Sequence, residues 1–322
     1  MCLNPNLVLS RLDPGTGAIV TQFLGPAGFV DPRTFGEPYV DKEWYTTVPC
    51  GKCRECKMDY AKQWANRMVL ESQDWPCNLF FTATYNNQNL PFDASSGLPT
   101  LDKRDVQLFM KRLRKFFQPR KIRFYFAGEY GTRTHRPHYH AILFNLGLQD
   151  FPDRKIHSYN ELKQPLYYSP TLEKLWSHGF ILMSDVTWKT CNYVARYVDK
   201  KAVREDIPMT NGVYDWEPEF SLSSRRPGIG MRKAEELLAS GCSSFPVSDG
   251  VETFEFSLPG TILKRFREKG LDKSLELSYN KAMVSRARLL SQLESTGLQY
   301  NELLERREKD LTRKLNMIPE RL

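Results

Sequence analysis

The residues whose types and spacing best suit chemistry are two histidines separated by one residue, His138 and His140. They fall in a run of apolar and aromatic residues that predicts a β-strand, and residues i and i+2 of a strand point to the same face. Both imidazoles can therefore reach one metal ion. An isolated pair of this kind leaves an alternative open, namely two ordinary polar residues on a sheet surface.

A carboxylate on the preceding strand favours the metal site. Arg123–Glu129 and His138–Phe144 are predicted to form a hairpin across a turn-rich segment. If Glu129 lies directly across from His138, His140 is its diagonal neighbour on the same face, and such side chains lie about 5 to 8 Å apart. Alternation along the first strand supports this register, because it gives the sheet an apolar back and a chemical front. Two histidines and a carboxylate would accept Mn²⁺, Zn²⁺ or Fe²⁺, and Mg²⁺ less readily by softness alone.

A predicted helix from about Thr187 to Ala202 indicates the reaction. Its apolar stripe includes Cys191 and Val194, and the opposite side carries Tyr193, Arg196, Tyr197 and Lys200. Tyrosines at helical spacing are often packing residues, but here the apolar stripe lies elsewhere. A phenolate can attack phosphorus, and a nearby cation lowers its pKa or neutralises phosphate charge. With a divalent ion to orient the phosphate, these parts fit transesterification that leaves a 5′-phosphotyrosine and a 3′-hydroxyl.

A second candidate metal site is the Cys-x-x-Cys-x-x-Cys cluster formed by Cys50, Cys53 and Cys56. Three thiolates need a fourth ligand for tetrahedral zinc, and we predict Cys2, because loop-closure entropy rises only with the logarithm of loop length. Structural Zn²⁺ is the preferred interpretation, while an iron–sulfur cluster and free thiols stay open. The other cysteines are interpreted as simple buried residues: Cys77, Cys191 and Cys242.

Composition agrees with a folded protein that meets polyanions. The chain has 322 residues, of which 41% are hydrophobic and 12% aromatic, enough for a sizeable core. A net charge of +8 and a pI near 9.0 favour nucleic acid as the partner. The N-terminus does not resemble a signal peptide, and no run approaches roughly 18 apolar residues. We therefore expect a cytosolic protein with no membrane association, and close cysteines suit a reducing compartment.

Positive charge concentrates in residues 103 to 123, which hold nine Lys or Arg and a single Asp. Most of this segment is a predicted helix, Asp102 to Phe117, with one apolar and one basic face. A solvated helix face and a contact with the DNA backbone both remain open for it. The candidate DNA-binding residues are Lys111, Arg112, Arg114, Lys115, Arg196, Arg225 and Arg226.

The elements that must position these residues divide the chain into four zones. Residues 1–57 are predicted as an irregular N-terminal arm that contains the cysteine cluster. Residues 58–202 alternate strands and helices, which predicts an α+β core with a central antiparallel sheet and helices packed against it. Residues 203–270 are a mixed basic segment that completes or flanks the core. Residues 271–322 are predicted as a charged helical C-terminal extension.

Taken together, these motifs resemble the rolling-circle replication initiators of microviruses, in particular those of the gokushovirus type. The resemblance covers roughly residues 1 to 230. It is carried by the segments Met1-Cys-Leu, Pro49–Cys56, Phe80–Tyr85, Gly128–Gly131, Arg136–Phe144, Tyr193–Lys200 and Ser224–Gly230.

The resemblance implies an HUH endonuclease fold with Mg²⁺ or Mn²⁺ as cofactor. It also implies a nickase that cuts and rejoins single-stranded or locally melted origin DNA in the cytoplasm of a bacterial host, beside the host replication helicase and polymerase. The implied roles are metal ligand for Glu129, His138 and His140, nucleophile for Tyr193 and Tyr197, and motif lysine for Lys200.

Two alternatives from other classes remain open at this point. A non-enzymatic, zinc-stabilised DNA-binding protein would use the histidines and tyrosines only to line a binding surface. A 2-His-1-carboxylate iron oxygenase would use the same three ligands, but it would need neither paired tyrosines nor a basic surface.

Overall fold

The chain folds into two compact units, Met1–Asp59 with Leu263–Leu322 and Tyr60–Ile262. The computed structural model describes the backbone of residues 2–13, 19–36, 42–131, 134–160, 163–200, 209–210, 213–214, 217–248, 253–270 and 272–316. Within these ranges, the side chains of residues 12, 197–200, 209, 210, 213, 214, 272, 275, 315 and 316 are outside the description.

The described residues form both strands and helices. The strands are β1 (Asn6–Leu12), β2 (Ile19–Pro26), β3 (Glu43–Val48), β4 (Asn78–Thr84), β5 (Arg123–Tyr130), β6 (Pro137–Phe144), β7 (Lys155–Tyr159), β8 (Pro165–Tyr168), β9 (Ile181–Asp185), β10 (Met209–Thr210), β11 (Val213–Tyr214), β12 (Phe220–Ser223), β13 (Ser244–Ser248) and β14 (Thr253–Ser257). The α-helices are α1 (Arg54–Ser72), α2 (Lys103–Phe116), α3 (Pro170–Trp176), α4 (Trp188–Lys200), α5 (Met231–Ala239), α6 (Gly260–Glu268), α7 (Asp272–Thr296) and α8 (Tyr300–Asn316).

The unit Tyr60–Ile262 is built on a seven-stranded antiparallel sheet in the order β12-β5-β6-β4-β9-β8-β7. We call the face that carries Glu129 the front and the face that carries Phe126 the back. On the back, α2 buries Phe109 and Leu113 against Phe126, together with Trp176 of α3. The predicted α+β class with helices on an antiparallel sheet is confirmed.

The front face is covered by α1 and α4. Trp64 of α1 packs on Tyr125 of β5 with ring centroids 5.1 Å apart. Helix α4 lies against β5, β6 and β12 and buries Cys191 and Val194, the predicted apolar stripe. Period-2 alternation therefore sets the front of the sheet, and period-3.6 spacing sets the side of α4 that packs against it.

The other unit corrects the expectation of an irregular N-terminal arm. Strands β1, β2 and β3 form an antiparallel sheet in the order β2-β1-β3. Most of β2 is exposed, and Gly and Pro interrupt this part of the chain, so little of the alternation that identifies a half-buried strand is present. In the same unit α7 and α8 share an apolar cluster with Ala27, which agrees with the predicted helical extension.

One edge of the large sheet also departs from the prediction. Strands β7 and β8 form a hairpin there, in a stretch for which no strand was predicted. Within the described ranges, no helix combines the length and apolar character needed to cross a bilayer.

Candidate active site

The predicted hairpin register is confirmed, and it brings three candidate ligands together. Glu129 of β5 lies directly opposite His138 of β6, and Ala127 lies opposite His140. Glu129 Oε1 is 2.8 Å from His138 Nε2 and 2.9 Å from His140 Nε2. The ligand atoms of these three residues, which we call the triad, all lie within 4.8 Å of one another, close enough to hold one metal ion.

The far side of each imidazole is also held, which orients its Nε2 atom. His138 Nδ1 lies 3.0 Å from the carbonyl oxygen of Arg136 and must donate to it, because a carbonyl only accepts. His140 Nδ1 lies 2.9 Å from Thr82 Oγ1, on the strand beside it. Such outer contacts fix ring orientation and tautomer at metal-binding histidines. With Nδ1 protonated, the Nε2 atom of His138 is the one available to a metal.

The electrostatics of the triad suit a cation. Burial raises the pKa of Glu129, but the hydrogen bonds with His138 and His140 outweigh it and hold that pKa below its ordinary range. Glu129 is therefore a buried carboxylate at neutral pH. The His138 side chain is 20% exposed while those of Glu129 and His140 are 5% and 4% exposed, so the triad opens to solvent on the His138 side.

Helix α4 places the predicted nucleophile beside the triad. The Tyr193 ring lies 4.9 Å from the His140 ring, centroid to centroid, at an interplanar angle of 81°. Phe80 of β4 stacks on the other side of His140 and meets Tyr193 edge-on at 6.2 Å. Tyr197 and Lys200 follow on the same helix, and their side chains are outside the described residues.

The residues predicted to bind DNA fall in three places. Lys111 and Lys115 are exposed on α2, across the sheet from the triad. Arg112 instead donates to the carbonyl oxygens of Leu175 and Trp176, at the C-terminal end of α3. Arg196 is exposed on α4, the helix of Tyr193. The remaining three line one cavity away from the triad: Arg114, Arg225 and Arg226.

Two side chains near the triad were missed by sequence reasoning. Thr82 contacts His140, and its signal was the alternation in β4, which puts Thr82 and Thr84 on one face. Phe180 exchanges two backbone hydrogen bonds with Thr84, which lies opposite His138. Residues directly opposite in a ladder share a face, so Phe180 lies on the front, in one row with Thr84 and His138, and it is 62% exposed.

The structure also brings Cys2 to the other three cysteines, as predicted. Cys2 Sγ lies 3.8 Å from Cys53 Sγ, and Cys50 Sγ lies 4.0 Å from Cys56 Sγ. These separations exceed an S–S bond of roughly 2.05 Å. They match the ~3.8 Å edge of a tetrahedron with Zn–S bonds of about 2.3 Å. We call these residues the four-cysteine cluster, and its sulfur atoms are placed to hold one ion.

Backbone amides surround the four-cysteine cluster. The N–H groups of Lys52 and Cys53 point at Cys50 Sγ, and that of Cys50 points at Cys2 Sγ. Burial raises the pKa of Cys50, but these donors outweigh it and lower the pKa to about 7, whereas burial raises the pKa of Cys2 to about 11. Of the other cysteines, Cys191 is buried as predicted, and Cys242 is exposed, which corrects its prediction.

The fold and the triad define an α+β protein with a two-histidine, one-carboxylate site on an antiparallel sheet. Residues 78–202, which contain the triad and most of the strands around it, match the model of a family described as replication-associated protein ORF2. The resemblance to viral replication proteins that the motifs indicate is thereby confirmed.

Three curated relatives carry names of the same kind. The chain is 35% identical over 190 residues to replication-associated protein ORF2 of Spiroplasma virus 4, covering 58% of this chain and 56% of that protein. It is 33% identical over 195 residues to replication-associated protein VP4 of Bdellovibrio phage phiMH2K, 58% of each chain. It is 32% identical over 168 residues to replication-associated protein ORF4 of Chlamydia phage 1, 50% of this chain and 40% of that one.

The chain spans about half the length of the curated relatives it matches. No solved structure matches it.

Proposed function

We propose that this chain is a replication initiator that nicks origin DNA by tyrosine transesterification and later rejoins the strand to release circular single-stranded genomes. The observation that carries the proposal is the convergence of Glu129, His138 and His140 beside Tyr193. Similarity of residues 78–202 to replication-associated proteins supports it from a separate direction.

In the proposed reaction a tyrosine oxygen attacks the scissile phosphorus. The bond between phosphorus and the 3′-oxygen breaks, the phenol loses its proton, and the released 3′-oxygen gains one. The product is a 5′-phosphotyrosine and a free 3′-hydroxyl that can prime synthesis. Because one phosphodiester replaces another, rejoining needs no nucleotide cofactor. Tyr193 and Tyr197 lie one turn apart on α4, so the second could cut while the first remains linked to DNA.

The triad would hold Mg²⁺ or Mn²⁺. When bound, such an ion polarises the phosphate and neutralises the charge that develops on it. The buried Glu129 carboxylate offsets the charge of the ion, while Thr82 and the Arg136 carbonyl keep the two imidazoles aimed at it. In our proposal Lys200 stabilises charge in the transition state. The four-cysteine cluster would hold a structural Zn²⁺, since its donors are four sulfur atoms with no open position.

The proposed substrate is single-stranded or locally melted origin DNA, and the proposed setting is the cytoplasm of a bacterial host. The net charge of +8 favours binding to the phosphate backbone. The free 3′-hydroxyl is the primer that the host polymerase would extend, and the host helicase would open the duplex ahead of it.

The test uses single-stranded origin DNA labelled at either end and incubated with the full chain and Mn²⁺. With a 3′ label, we expect the label to remain on protein after denaturation. With a 5′ label, we expect a shorter oligonucleotide that a polymerase can extend. EDTA should abolish both products. A DNA-binding protein or an iron oxygenase would give neither, and a label on the opposite fragment would contradict the polarity proposed here.

A further inference from the structure

We infer that a cavity at the far end of β5 from the triad is a second nucleic-acid contact, which binds successive phosphates of the strand whose cleavage is proposed above. The inference rests on the proposed function. The cavity has a volume of about 570 Å³ and lies between the end of α2, the turn that follows it and the segment after β12. It is too large for a single phosphate ion and is the right scale for a stretch of backbone.

The charge of this cavity is strongly positive. Six of its lining residues are basic, and within the described residues that line it there is no carboxylate: Arg114, Arg120, Lys121, Arg123, Arg225 and Arg226. Two of the six are neutralised from outside the cavity, since Arg120 pairs with Asp150 at 2.6 Å and Arg123 with Glu71 at 2.5 Å.

The other four basic residues keep their charge for a ligand. Within the described part of the chain, no carboxylate lies in ion-pair range of Arg114, Lys121, Arg225 or Arg226. Partial burial and the nearby charge of Arg123 lower the pKa of Arg114, as expected where cations crowd together. Lys121, Arg225 and Arg226 are exposed, so a polyanion can reach them. These three residues, which we call the basic trio, come from two separate segments.

The segment Ser224–Gly230, which carries two members of the trio, is held rigidly against the sheet. At one end, Ser224 exchanges hydrogen bonds with the backbone of Phe124 at 3.0 and 3.1 Å. At the other end, the Gly230 N–H donates to Glu71 at 2.8 Å, and Arg67 donates to the Ile229 carbonyl at 3.0 Å.

Gly230 itself is required for this contact. Its φ is +70°, and a Cβ there would lie 2.5 Å from the Arg67 carbonyl oxygen. Arg123 adds a 2.8 Å hydrogen bond to the Pro227 carbonyl, so the buried pair of Arg123 and Glu71 grips the segment from below. A loop fixed at this many points presents Arg225 and Arg226 in one place, as a binding site needs.

The position of the cavity sets a length. Arg123 and Glu129 are six residues apart on β5, and at ~3.4 Å per residue of antiparallel strand they are separated by about 20 Å. A stacked DNA strand advances ~3.4 Å per nucleotide, so the basic trio would meet the backbone about six nucleotides from the cleaved bond.

The test measures binding of single-stranded oligonucleotides of increasing length by fluorescence anisotropy in EDTA, so that no cleavage is needed. For the unaltered protein, affinity should rise when the strand extends about six nucleotides to one side of the triad. The variant Lys121→Gln, Arg225→Gln, Arg226→Gln should lose this rise. The slope of log affinity against log salt should become shallower by about 2, since each phosphate contact on a single strand contributes roughly 0.7.

The matched control is Lys155→Gln, Lys163→Gln, Lys174→Gln, which removes the same charge from exposed positions away from this cavity. It should retain the rise with length. The inference is wrong if the trio variant keeps the rise or if the control loses as much. Because the readout is binding, a chain that never forms the covalent adduct but shows the length effect would refute the proposed function and leave the cavity assigned.

Discussion

The two candidate metal sites of this chain differ in donors and in access. The four-cysteine cluster offers four sulfur atoms, and its outer contacts are backbone amides of its own turn. The triad offers two nitrogens and one carboxylate, and its outer contacts come from Thr82 and the Arg136 carbonyl. Soft, four-coordinate sets with no open position are typical of structural zinc, whereas three-ligand sets leave room for water or substrate.

These contrasting surroundings indicate where a metal would act. At the four-cysteine cluster an ion would hold β1, β3 and the start of α1 in place, because its ligands come from the ends of these elements. At the triad the ligands already lie on a hydrogen-bonded sheet that needs no ion to form. We therefore expect metal loss at the first site to cost stability and metal loss at the second to cost activity.

The greatest loss of function should follow from removing the nucleophiles, which stand beside only one of the two sites. The double variant Tyr193→Phe, Tyr197→Phe should form no covalent adduct, because no phenol remains on α4. Each single variant should still nick but fail to complete circles, since release needs a second cut while the first phosphotyrosine persists. Gel analysis of adducts and of circular products measures both steps.

Tyr159→Phe, an exposed tyrosine on β7, is the matched control and should behave as the unaltered chain. An adduct that survives in the double variant would contradict the assignment.

The triad itself comes next in expected effect. His138→Ala or His140→Ala should reduce cleavage on the order of 10³-fold or more, as expected when charge stabilisation at the reacting phosphate is removed. DNA binding should remain, because it depends on Lys and Arg. Adduct yield and anisotropy, measured on the same preparations, separate the two.

His157→Ala, an exposed histidine on β7, serves as the control for this pair. Equal loss of binding and cleavage in the triad variants would count against a metal role.

At the four-cysteine cluster the effect should appear in stability. Cys50→Ser or treatment with a zinc chelator should lower Tm on the order of 10 °C or more, because structural zinc contributes directly to folding free energy. Calorimetry measures the shift. Cys242→Ser, at an exposed cysteine outside the cluster, should leave Tm unchanged. Freshly purified protein with no zinc by elemental analysis would refute zinc at this site.

How far the sequence predicts the two sites depends on how local their contacts are. The triad was predictable because β5 and β6 are neighbours in sequence and alternation fixes which residues share a face. The four-cysteine cluster was predictable because three of its ligands lie within seven residues. In both cases the pattern itself carries the geometry.

Contacts between distant segments were not predictable in the same way. Thr82 meets His140 only because β4 pairs with β6, 58 residues away. Arg123 belongs to a basic stretch and was counted as surface charge, yet it is buried against Glu71. Every residue of β7 except Ser158 is exposed, so burial left no alternation in its sequence. Only the folded topology supplies these partners.

A milder effect distinguishes the outer contacts of the two sites. Thr82→Val keeps the shape of the side chain but removes the oxygen that meets His140 Nδ1, and loss of such a partner typically costs about 10- to 100-fold in metal affinity. Isothermal titration with Mn²⁺ measures it, and Thr82→Ser should restore most of the affinity. Thr84→Val, on the same strand and face, is the control. No equivalent side-chain variant exists at Cys50, where the donors are backbone amides.

The weakest effect tests whether the triad is open to a strand of DNA in the way that the four-cysteine cluster is not. Phe180 lies on the front face two strands from His138, at about 10 Å, and its ring is 62% exposed. An exposed aromatic beside a phosphate site can stack with a base, which is worth roughly 1 to 3 kcal/mol. Phe180→Ala should therefore weaken binding of single-stranded DNA about tenfold, and Phe180→Trp should preserve it. The control is Phe116→Ala, on the back of the sheet and 58% exposed. If both alanine variants bind alike in anisotropy measurements, the strand does not cross the front face, and the open side of the triad faces solvent alone.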